Sequence, residues 1–156
     1  MTPEQFTNTY RELLPQITKY LVRRVSPSDV EDTASRIFEI AWTKRDQAPK
    51  GFELPWLYRI AGYVVANHRR REDSQARFLT VFRPNDSSPS AEDIAVGDLA
   101  LSEAWAKLSP SDRQVIALSS FEGLDNSNAA RVFGISTNAF ALRLSKAKAK
   151  LRKFLS

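Results

Sequence analysis

The chain has 156 residues, 42% of them hydrophobic, with no cysteine, a single histidine and a formal net charge of +5. This composition excludes disulfides, thiolate nucleophiles and cysteine-bound zinc, and His68 alone is a poor basis for a metal site or a catalytic triad. The polar amino terminus and the lack of an apolar run of about 20 residues argue against a secretory signal and a membrane span. We therefore expect a cytoplasmic protein that is not an enzyme, with no catalytic residue, metal or cofactor.

The charges are unevenly distributed along the chain. Residues 1–72 carry 12 Lys or Arg and 9 Asp or Glu, residues 73–108 carry 3 and 6, and residues 109–156 carry 8 and 3. Two basic ends around an acidic middle are typical of two polyanion-binding modules joined by a segment that does not bind. Ordinary surface solvation is the alternative, but the positive residues cluster, at 69–71 and again at 143–153.

Apolar periodicity and capping motifs predict helices in the first half of the chain. Apolar residues three and four apart predict an amphipathic helix over 3–24, which Pro15 should kink or divide. The Ser-Pro-Ser-Asp motif at 26–29 places serine as N-cap and proline at the first helical position, so a second helix should follow. The stretch 47–55, with two prolines and a glycine, is a predicted loop, and a third helix should run over 56–71.

The second half predicts a linker followed by a helix-turn-helix. Residues 84–90 are polar and rich in turn formers, and helical periodicity resumes at about residue 99. Beyond a second Ser-Pro-Ser-Asp motif at 109–112, Gly123 and Gly134 divide the chain into a helix, a short helix and a long helix that starts at a Ser136 cap. This order is the helix-turn-helix pattern, in which the last helix lies in the major groove of DNA.

The sequence thus predicts an all-α fold of two small helical domains on a flexible linker: 1–75, 76–97 and 98–156. The second is a helix-turn-helix domain, winged-helix-like but without a wing. In its last helix one stripe is apolar and another basic, a face that can neutralise phosphates in a salt-sensitive way. If that helix is considered alone, the alternative is a charged surface that is exposed to solvent and binds nothing. The basic residues of the stripe are Arg143, Lys146, Lys150 and Lys153.

A family resemblance rests on several segments in the right order. The segment 55–61 (Pro-Trp-Leu-Tyr-Arg-Ile-Ala) with 67–71 (Asn-His-Arg-Arg-Arg) resembles the promoter-melting segment of the extracytoplasmic-function sigma factors, the smallest sigma-70 family members. Residues 29–42 resemble their polymerase-docking helix, and residues 108–147 their second DNA-binding domain. Two positions depart from the melting pattern, which has Asn at Tyr63 and Asp at Asn67.

The resemblance implies a set of residues for each task of such a protein. Docking on the β and β′ subunits of core RNA polymerase would use Asp29, Asp32, Ser35, Arg36, Phe38 and Trp42. Capturing a flipped base of the −10 element and opening the duplex would use Lys50, Phe52, Arg59, Asn67, Arg69, Arg70 and Arg71. Reading the −35 element would use Arg131, Ser136, Thr137, Asn138, Ala141, Leu142, Arg143, Lys146 and Lys150.

Departures from the family pattern qualify these roles. Ser35-Arg36 stands where the family usually has Gln and an acid, which bears on the polymerase contact. Ala141 and Leu142 occupy positions that commonly carry polar base contacts, so upstream recognition should lean on phosphates and DNA shape. Trp56 is expected in the core, Trp42 either in the core or on the docking surface, and His68 beside a phosphate or uninvolved.

The resemblance also implies partners: core RNA polymerase, promoter DNA and an anti-sigma factor, with a monomer in the free state. Two rival interpretations remain at this point. A stand-alone helix-turn-helix regulator would explain the second domain but not segment 55–61, and such regulators usually dimerise on palindromes. A nucleic-acid enzyme lacks support because the acid pairs 31–32 and 92–93 are adjacent and cannot share one helical face.

Overall fold

The computed structural model describes residues 2–72, 87–94 and 98–156, apart from the side chain of Glu92. It divides into two compact units, Met1–Pro84 and Asn85–Ser156. Every regular element within these ranges is a helix, which confirms the predicted all-α fold. In the same ranges, no helix is both long enough and apolar enough to cross a membrane.

Three helices form the first unit: α1 (Pro3–Val22), α2 (Val30–Thr43) and α3 (Glu53–Glu72). The α2–α3 pair makes the most extensive contact, and α1 packs against both. Each helix turns an apolar stripe toward the others, which removes that surface from water and stabilises the unit. The fully buried apolar side chains at the centre are Ile17, Tyr20, Leu21, Ile37, Ala41, Leu57, Ala61 and Val65.

Helix α1 is continuous through Pro15, so the prediction that Pro15 could divide it is wrong. A capping box fixes its start, because the Gln5 backbone N–H donates to the Thr2 hydroxyl and the Thr2 N–H donates to the Gln5 side chain. Pro15 lies on the exposed side and removes only one backbone donor. Burial of Tyr10 before it and Ile17 after it holds both halves of the helix on α2 and α3, and this packing outweighs the loss.

The two Ser-Pro-Ser-Asp motifs adopt different structures. At 109–112 the Ser109 hydroxyl accepts the Asp112 backbone N–H at 3.1 Å, the cap that the motif predicts. At 26–29 Ser26 makes no such bond, and Pro27–Asp29 forms a 3₁₀ turn before α2 begins at Val30. In this first motif the Asp29 carboxylate contacts His68 of α3, and the Asp29 carbonyl accepts the Thr33 hydroxyl at 2.6 Å.

The second unit contains α4 (Ala91–Ile94), α5 (Leu99–Lys107), α6 (Pro110–Ser120), α7 (Asn126–Phe133) and α8 (Thr137–Leu155). Helix α8 is central, because α5, α6 and α7 all pack on it. Its inward residues Phe140, Leu144 and Ala147 are buried, as the predicted apolar stripe requires, and Leu151 and Phe154 are half-buried. Trp105 and Leu118 complete the fully buried centre of this unit.

Part of the stretch that composition assigns to the linker is packed against this unit. The Trp105 indole N–H donates to the Pro89 carbonyl at 2.9 Å, and the Gln114 amide donates to the Ser87 hydroxyl at 3.1 Å. Ser87, Ser88 and Pro89 are all buried. The serines and prolines of this stretch predicted a solvent-exposed segment. Here the buried Trp105 indole and Gln114 amide donate hydrogen bonds to it, which makes burial of these residues possible. The remainder of 76–97 lies largely outside the described residues.

Candidate nucleic-acid and polymerase interfaces

Helix α2 presents one outward face, on which most of the predicted docking residues lie. Asp32, Ser35 and Arg36 are exposed there, and Asp29 is half-buried at the start of the helix. These four residues line a cleft of about 580 Å³ between α2 and the last turns of α3. The cleft carries acids and guanidinium groups together, because Arg71 and Glu72 of α3 form its other wall.

Phe38 and Trp42 lie on the opposite edge of α2 and pack against α1. The Tyr10 and Phe38 rings meet edge-on with centroids 5.0 Å apart, and the Phe6 and Trp42 rings do the same at 4.9 Å. The Arg45 guanidinium lies 3.9 Å from the Trp42 centroid, yet Trp42 remains 38% exposed. Phe38 therefore helps to hold α1, whereas Trp42 offers both packing and an accessible face.

Burial raises the pKa of the Tyr10 phenol above its ordinary value of 10, and the nearby Glu53 carboxylate adds to the effect. The phenol consequently stays neutral at any physiological pH. It serves as a packing element between α1, α2 and the start of α3, rather than as an acid or base.

The loop between α2 and α3 exposes Lys50 and Phe52, two of the residues predicted to meet a flipped base. Gly51 between them has φ of +86°, a conformation that side chains with a Cβ rarely adopt, and its N–H donates to the Glu53 carboxylate at 3.0 Å. Lys50 also lines a cleft of about 380 Å³ beside the amino-terminal half of α1. The loop thus combines an exposed ring, a cation and a recess.

Asn67 does not join this loop. Glu53 and Asn67 are fourteen residues apart on the continuous helix α3, which corresponds to about 21 Å along its axis. The resemblance assigns both the loop and Asn67 to a flipped base, and one unstacked base is small compared with this separation. The two sites would have to contact different nucleotides.

The outward stripe of α3 consists of residues that follow one another every three or four positions. Arg59, Tyr63 and Asn67 are exposed, and Trp56 and Arg70 at its two ends are half-buried. Trp56 therefore lies at the border of the core rather than within it. The Arg70 guanidinium donates to the Asn67 side chain at 3.4 Å. We call these five residues the α3 stripe.

The three consecutive arginines do not form one surface. Each step along a helix turns the side chain by about 100°, so neighbours diverge. Arg69 donates to the Arg24 carbonyl at 3.0 Å and ties α3 to the end of α1, while Arg71 lines the cleft between α2 and α3. Only Arg70 belongs to the α3 stripe, so the sequence cluster overstates the local positive charge on that face.

His68 is the residue that sequence reasoning missed. Its Nε2 lies 3.2 Å from the Asp29 carboxylate and 3.1 Å from that of Glu72, and the three ligand atoms fall within 4.8 Å of one another. Such a grouping could in principle hold a cation, but Arg36 and Arg71 line the same cleft and their charges oppose one. No sequence signal could have found this contact, because Asp29 and His68 are 39 residues apart.

The helix-turn-helix of the second unit is formed by α7, a glycine turn and α8. Gly134 ends α7 with φ of +71°, the left-handed conformation of a helix C-cap. The Ser136 hydroxyl then accepts the Ala139 backbone N–H at 3.1 Å and starts α8, as predicted. The Asp125 carboxylate caps α7 in the same way by accepting the Asn128 N–H at 2.8 Å.

The predicted −35 residues lie mostly on exposed surface of α8 and α7. Asn138 and Leu142, one turn apart, occupy the middle of the outward face in the first half of α8, and Leu142 is 58% exposed. Ala141 beside them is half-buried. Lys150 instead lies 3.2 Å from the Asp112 carboxylate of α6. The other exposed members of the set are Arg131, Ser136, Thr137, Arg143 and Lys146.

Comparison with known proteins agrees with this geometry. Residues 98–151 match the family model described as sigma-70, region 4. The RNA polymerase sigma factor NccH of Alcaligenes xylosoxydans xylosoxydans is 31% identical over 144 residues, covering 84% of this chain and 75% of NccH. CarQ, an RNA polymerase sigma factor of Myxococcus xanthus, is 26% identical over 157 residues, covering 97% and 90%.

A solved structure extends the likeness to the fold of both units. The sigma factor RpoE of Bartonella quintana, crystallised with the anti-sigma factor NepR, has a TM-score of 0.66 at 22% identity, covering 97% of each chain. The matches together span α2, the α3 stripe and the helix-turn-helix, in that order. The chain belongs to the extracytoplasmic-function group of the sigma-70 family and is a sigma factor, a protein that directs transcription initiation by RNA polymerase.

Proposed function

We propose that the two units divide promoter recognition between them, with α2 docking on the β and β′ subunits of core RNA polymerase, the first unit binding and opening the −10 element, and α8 binding the −35 element. The observation that carries this proposal is the α3 stripe. It offers ring, amide and guanidinium groups on one exposed face, while the opposite faces of α3 form the core and the wall of the docking cleft.

Opening requires the protein to hold single strands better than the duplex. The loop at Lys50 and Phe52 and the α3 stripe supply cations for the backbone and planar groups for bases, the combination typical of single-strand binding. Binding energy gained on the exposed strand offsets the cost of unpairing, so no hydrolysis is needed. Because Asn67 lies about 21 Å along α3 from the end of the loop, we assign the loop and Asn67 to different nucleotides of one opened segment.

At the −35 element we assign phosphate contacts to Arg131, Arg143 and Lys146, and base-edge contacts to Asn138 and Leu142. Residues in the first turns of a recognition helix reach the base edges. The Asn138 amide can pair with adenine, and the Leu142 side chain can contact a thymine methyl group but makes no hydrogen bond. Specificity should therefore be modest, with a large share of the affinity coming from released counterions.

The test begins with the full chain and core RNA polymerase. We expect co-elution that weakens as salt rises, and permanganate-reactive thymines in promoter fragments only when both components are present. Asp32→Ala should weaken co-elution, whereas Asn67→Ala should leave co-elution intact and reduce strand opening. Glu12→Ala removes an exposed acid of α1 outside both surfaces and should change neither.

The contrary results are equally specific. If the protein does not bind polymerase but shifts duplex DNA by itself as a dimer, the division of labour is wrong and a stand-alone regulator replaces it. If Asp32→Ala and Asn67→Ala lose the same step to the same extent, the two surfaces are not separate. Sedimentation of the free protein tests the expected monomer in the same set of measurements.

We also propose control by an anti-sigma factor. The support is that RpoE of Bartonella quintana, which shares this fold, was solved bound to one. Affinity purification of the tagged full chain from its own cells, followed by transcription assays with each purified partner, tests the idea. A partner that abolishes polymerase binding is expected, and recovery of polymerase alone under every growth condition would contradict it.

A further inference from the structure

His68 makes two close polar contacts through a single ring nitrogen. Its Nε2 atom lies 3.2 Å from the Asp29 carboxylate and 3.1 Å from the Glu72 carboxylate. A ring nitrogen carries at most one hydrogen, even when the imidazole is protonated, so Nε2 can donate a well-aligned hydrogen bond to only one of them. The other carboxylate oxygen then faces the nitrogen with no hydrogen in between. A hydrogen bond therefore accounts for only one of the two contacts.

A metal ion bound between the three side chains would account for both contacts. With metal–ligand bonds of about 2.0–2.2 Å, neighbouring ligand atoms of a tetrahedral Zn²⁺ site lie about 3.3–3.6 Å apart. The two distances from His68 Nε2 are within a few tenths of an ångström of this spacing. The ligand atoms of Asp29, His68 and Glu72 all lie within 4.8 Å of one another, so a small rotation of the Glu72 side chain, which is 58% exposed, would complete the site.

The fold holds two of these ligands in place before any ion binds. The Asp29 backbone N–H donates to the Ser26 carbonyl at 2.8 Å, and the Asp29 carbonyl accepts the Thr33 hydroxyl at 2.6 Å, which fixes the turn before α2. His68 is only 20% exposed, and Glu72 lies four residues further along α3 on the same side of the helix. The site thus consists of two constrained ligands and a third that can adjust.

The charges around the site favour one class of ion. Asp29, Asp32 and Glu72 bring three carboxylates to the cleft, against the guanidinium groups of Arg36 and Arg71. The two arginines oppose a cation that is held by charge alone, which disfavours Mg²⁺ and Ca²⁺, ions that prefer ligand shells of oxygen. Zn²⁺ gains a bond to the imidazole nitrogen that does not depend on the net charge of the cleft.

We propose that Asp29, His68 and Glu72 form a Zn²⁺ site whose occupation weakens docking on RNA polymerase. Three protein ligands leave a fourth position for water, the arrangement of an open zinc site. The docking effect, unlike the site itself, rests on the proposed function. Bound zinc would withdraw the Asp29 carboxylate from the docking surface and add two positive charges beside Asp32, so a partner that Asp32 attracts would be repelled.

The site is tested first on the full chain alone, by calorimetric titration with Zn²⁺ after treatment with a chelator. We expect one Zn²⁺ per chain in the wild type. His68→Ala and Glu72→Gln should each weaken binding at least about 10-fold, because loss of even an outer-shell partner of a metal ligand costs about 10–100-fold. Glu39→Gln removes an exposed acid of α2 that does not line the cleft, and it should bind zinc like the wild type.

Cobalt gives a second readout that does not depend on heat. Co²⁺ replaces Zn²⁺ in such sites, and its visible absorption is much stronger when four ligands surround it than when six do. We expect a visible band in the wild type and in Glu39→Gln that is lost in Glu72→Gln, a variant whose exposed position spares the fold. Absence of saturable zinc binding in the wild type, or binding that His68→Ala and Glu72→Gln leave unchanged, would refute the site.

The docking effect is tested by co-elution with core polymerase, with and without Zn²⁺. We expect zinc to reduce co-elution of the wild type and of Glu39→Gln, and to leave Glu72→Gln unaffected, which also controls for zinc acting on the polymerase. An equal effect of zinc on all three proteins would refute the competition, although the site would stand on the titrations. If the wild type fails to co-elute even without zinc, the proposed function fails, and the zinc titrations still decide whether the site exists.

Discussion

The imidazole of His68 and the carboxylate of Asp29 lie 3.2 Å apart and join the carboxyl-terminal part of α3 to the start of α2. The first carries the stripe proposed to bind opened DNA, and the second the surface proposed to dock on polymerase. Both side chains are partly buried, with 20% of His68 and 31% of Asp29 exposed. The contact connects the helices that carry the two surfaces within the first unit.

Breaking this contact should cost measurable stability. We expect Asp29→Ala and His68→Ala each to lower the free energy of unfolding by about 1 kcal/mol, with a coupling of about 0.5–1.5 kcal/mol in the double-mutant cycle. Glu72→Ala removes the more exposed partner of His68, an i,i+4 pair, and should cost at most about 0.5 kcal/mol. Urea unfolding of the wild type, the three single variants and the Asp29→Ala/His68→Ala double variant measures these values, and additive effects of Asp29→Ala and His68→Ala would show that the contact contributes nothing.

The buried Gln114–Ser87 hydrogen bond predicts a larger effect in the second unit. Gln114→Leu removes the donor to a hydroxyl that has no exposure to water, and we expect a loss of about 1–3 kcal/mol. Gln16→Leu is the matched control, because Gln16 is exposed on α1. Thermal unfolding followed by circular dichroism compares them. Equal melting temperatures for the two variants would mean that the Gln114–Ser87 hydrogen bond does not stabilise this unit.

The salt dependence of −35 binding should distinguish the lysines and arginines of α8. Each phosphate that the protein neutralises contributes about 0.9 to the slope of log affinity against log salt concentration. Arg143→Ala and Lys146→Ala should each reduce that slope by about 1. Lys150→Ala should change it less, because Lys150 is paired with Asp112 at 3.2 Å.

Titration of duplex promoter DNA with holoenzyme at several salt concentrations gives these slopes. Lys148→Ala, an exposed lysine on another edge of α8, serves as the reference for loss of charge alone. If all four variants shift the slope equally, α8 acts through its net charge and not through defined phosphate contacts.

Gly134 is expected to tolerate no side chain without cost. Its φ of +71° is unfavourable for residues with a Cβ, so Gly134→Ala should destabilise the second unit by about 1 kcal/mol and weaken −35 binding by altering the angle between α7 and α8. Ser127→Ala, at an exposed position of α7, is the control. Unchanged stability in Gly134→Ala would show that the turn can rearrange without the left-handed conformation.

Local signals predicted the helices well and their tertiary roles less well. The cap at Ser136, the turn at Gly134 and the apolar stripe of α8 follow from rules that involve only neighbouring residues, and all three are present. The cap at Ser26 is absent although its motif is identical to the one at 109–112, and only in the first motif does the aspartate contact a side chain of α3. Identical local sequences therefore diverge where a long-range partner intervenes.

The candidate surfaces show the same limit. Sequence clustering suggested that Arg69, Arg70 and Arg71 act together, but the helical turn sends them to three different places. Tyr63 attracted notice only as a departure from a pattern, since exposure cannot be read from residue type. Similarly, Ser87 and Pro89 have the composition of a linker, and only the buried Trp105 and Gln114 explain why they pack.

The tryptophans lie in different environments, so their fluorescence can report on the two units separately. Trp105 is buried and donates its indole N–H to a carbonyl, so its emission should stay blue-shifted while the second unit is folded. Trp42 is partly open to water beneath the Arg45 guanidinium, at the edge of the proposed docking face. Once Trp56 is replaced by phenylalanine, a change in emission on adding a partner would indicate which unit that partner covers, without any attached label.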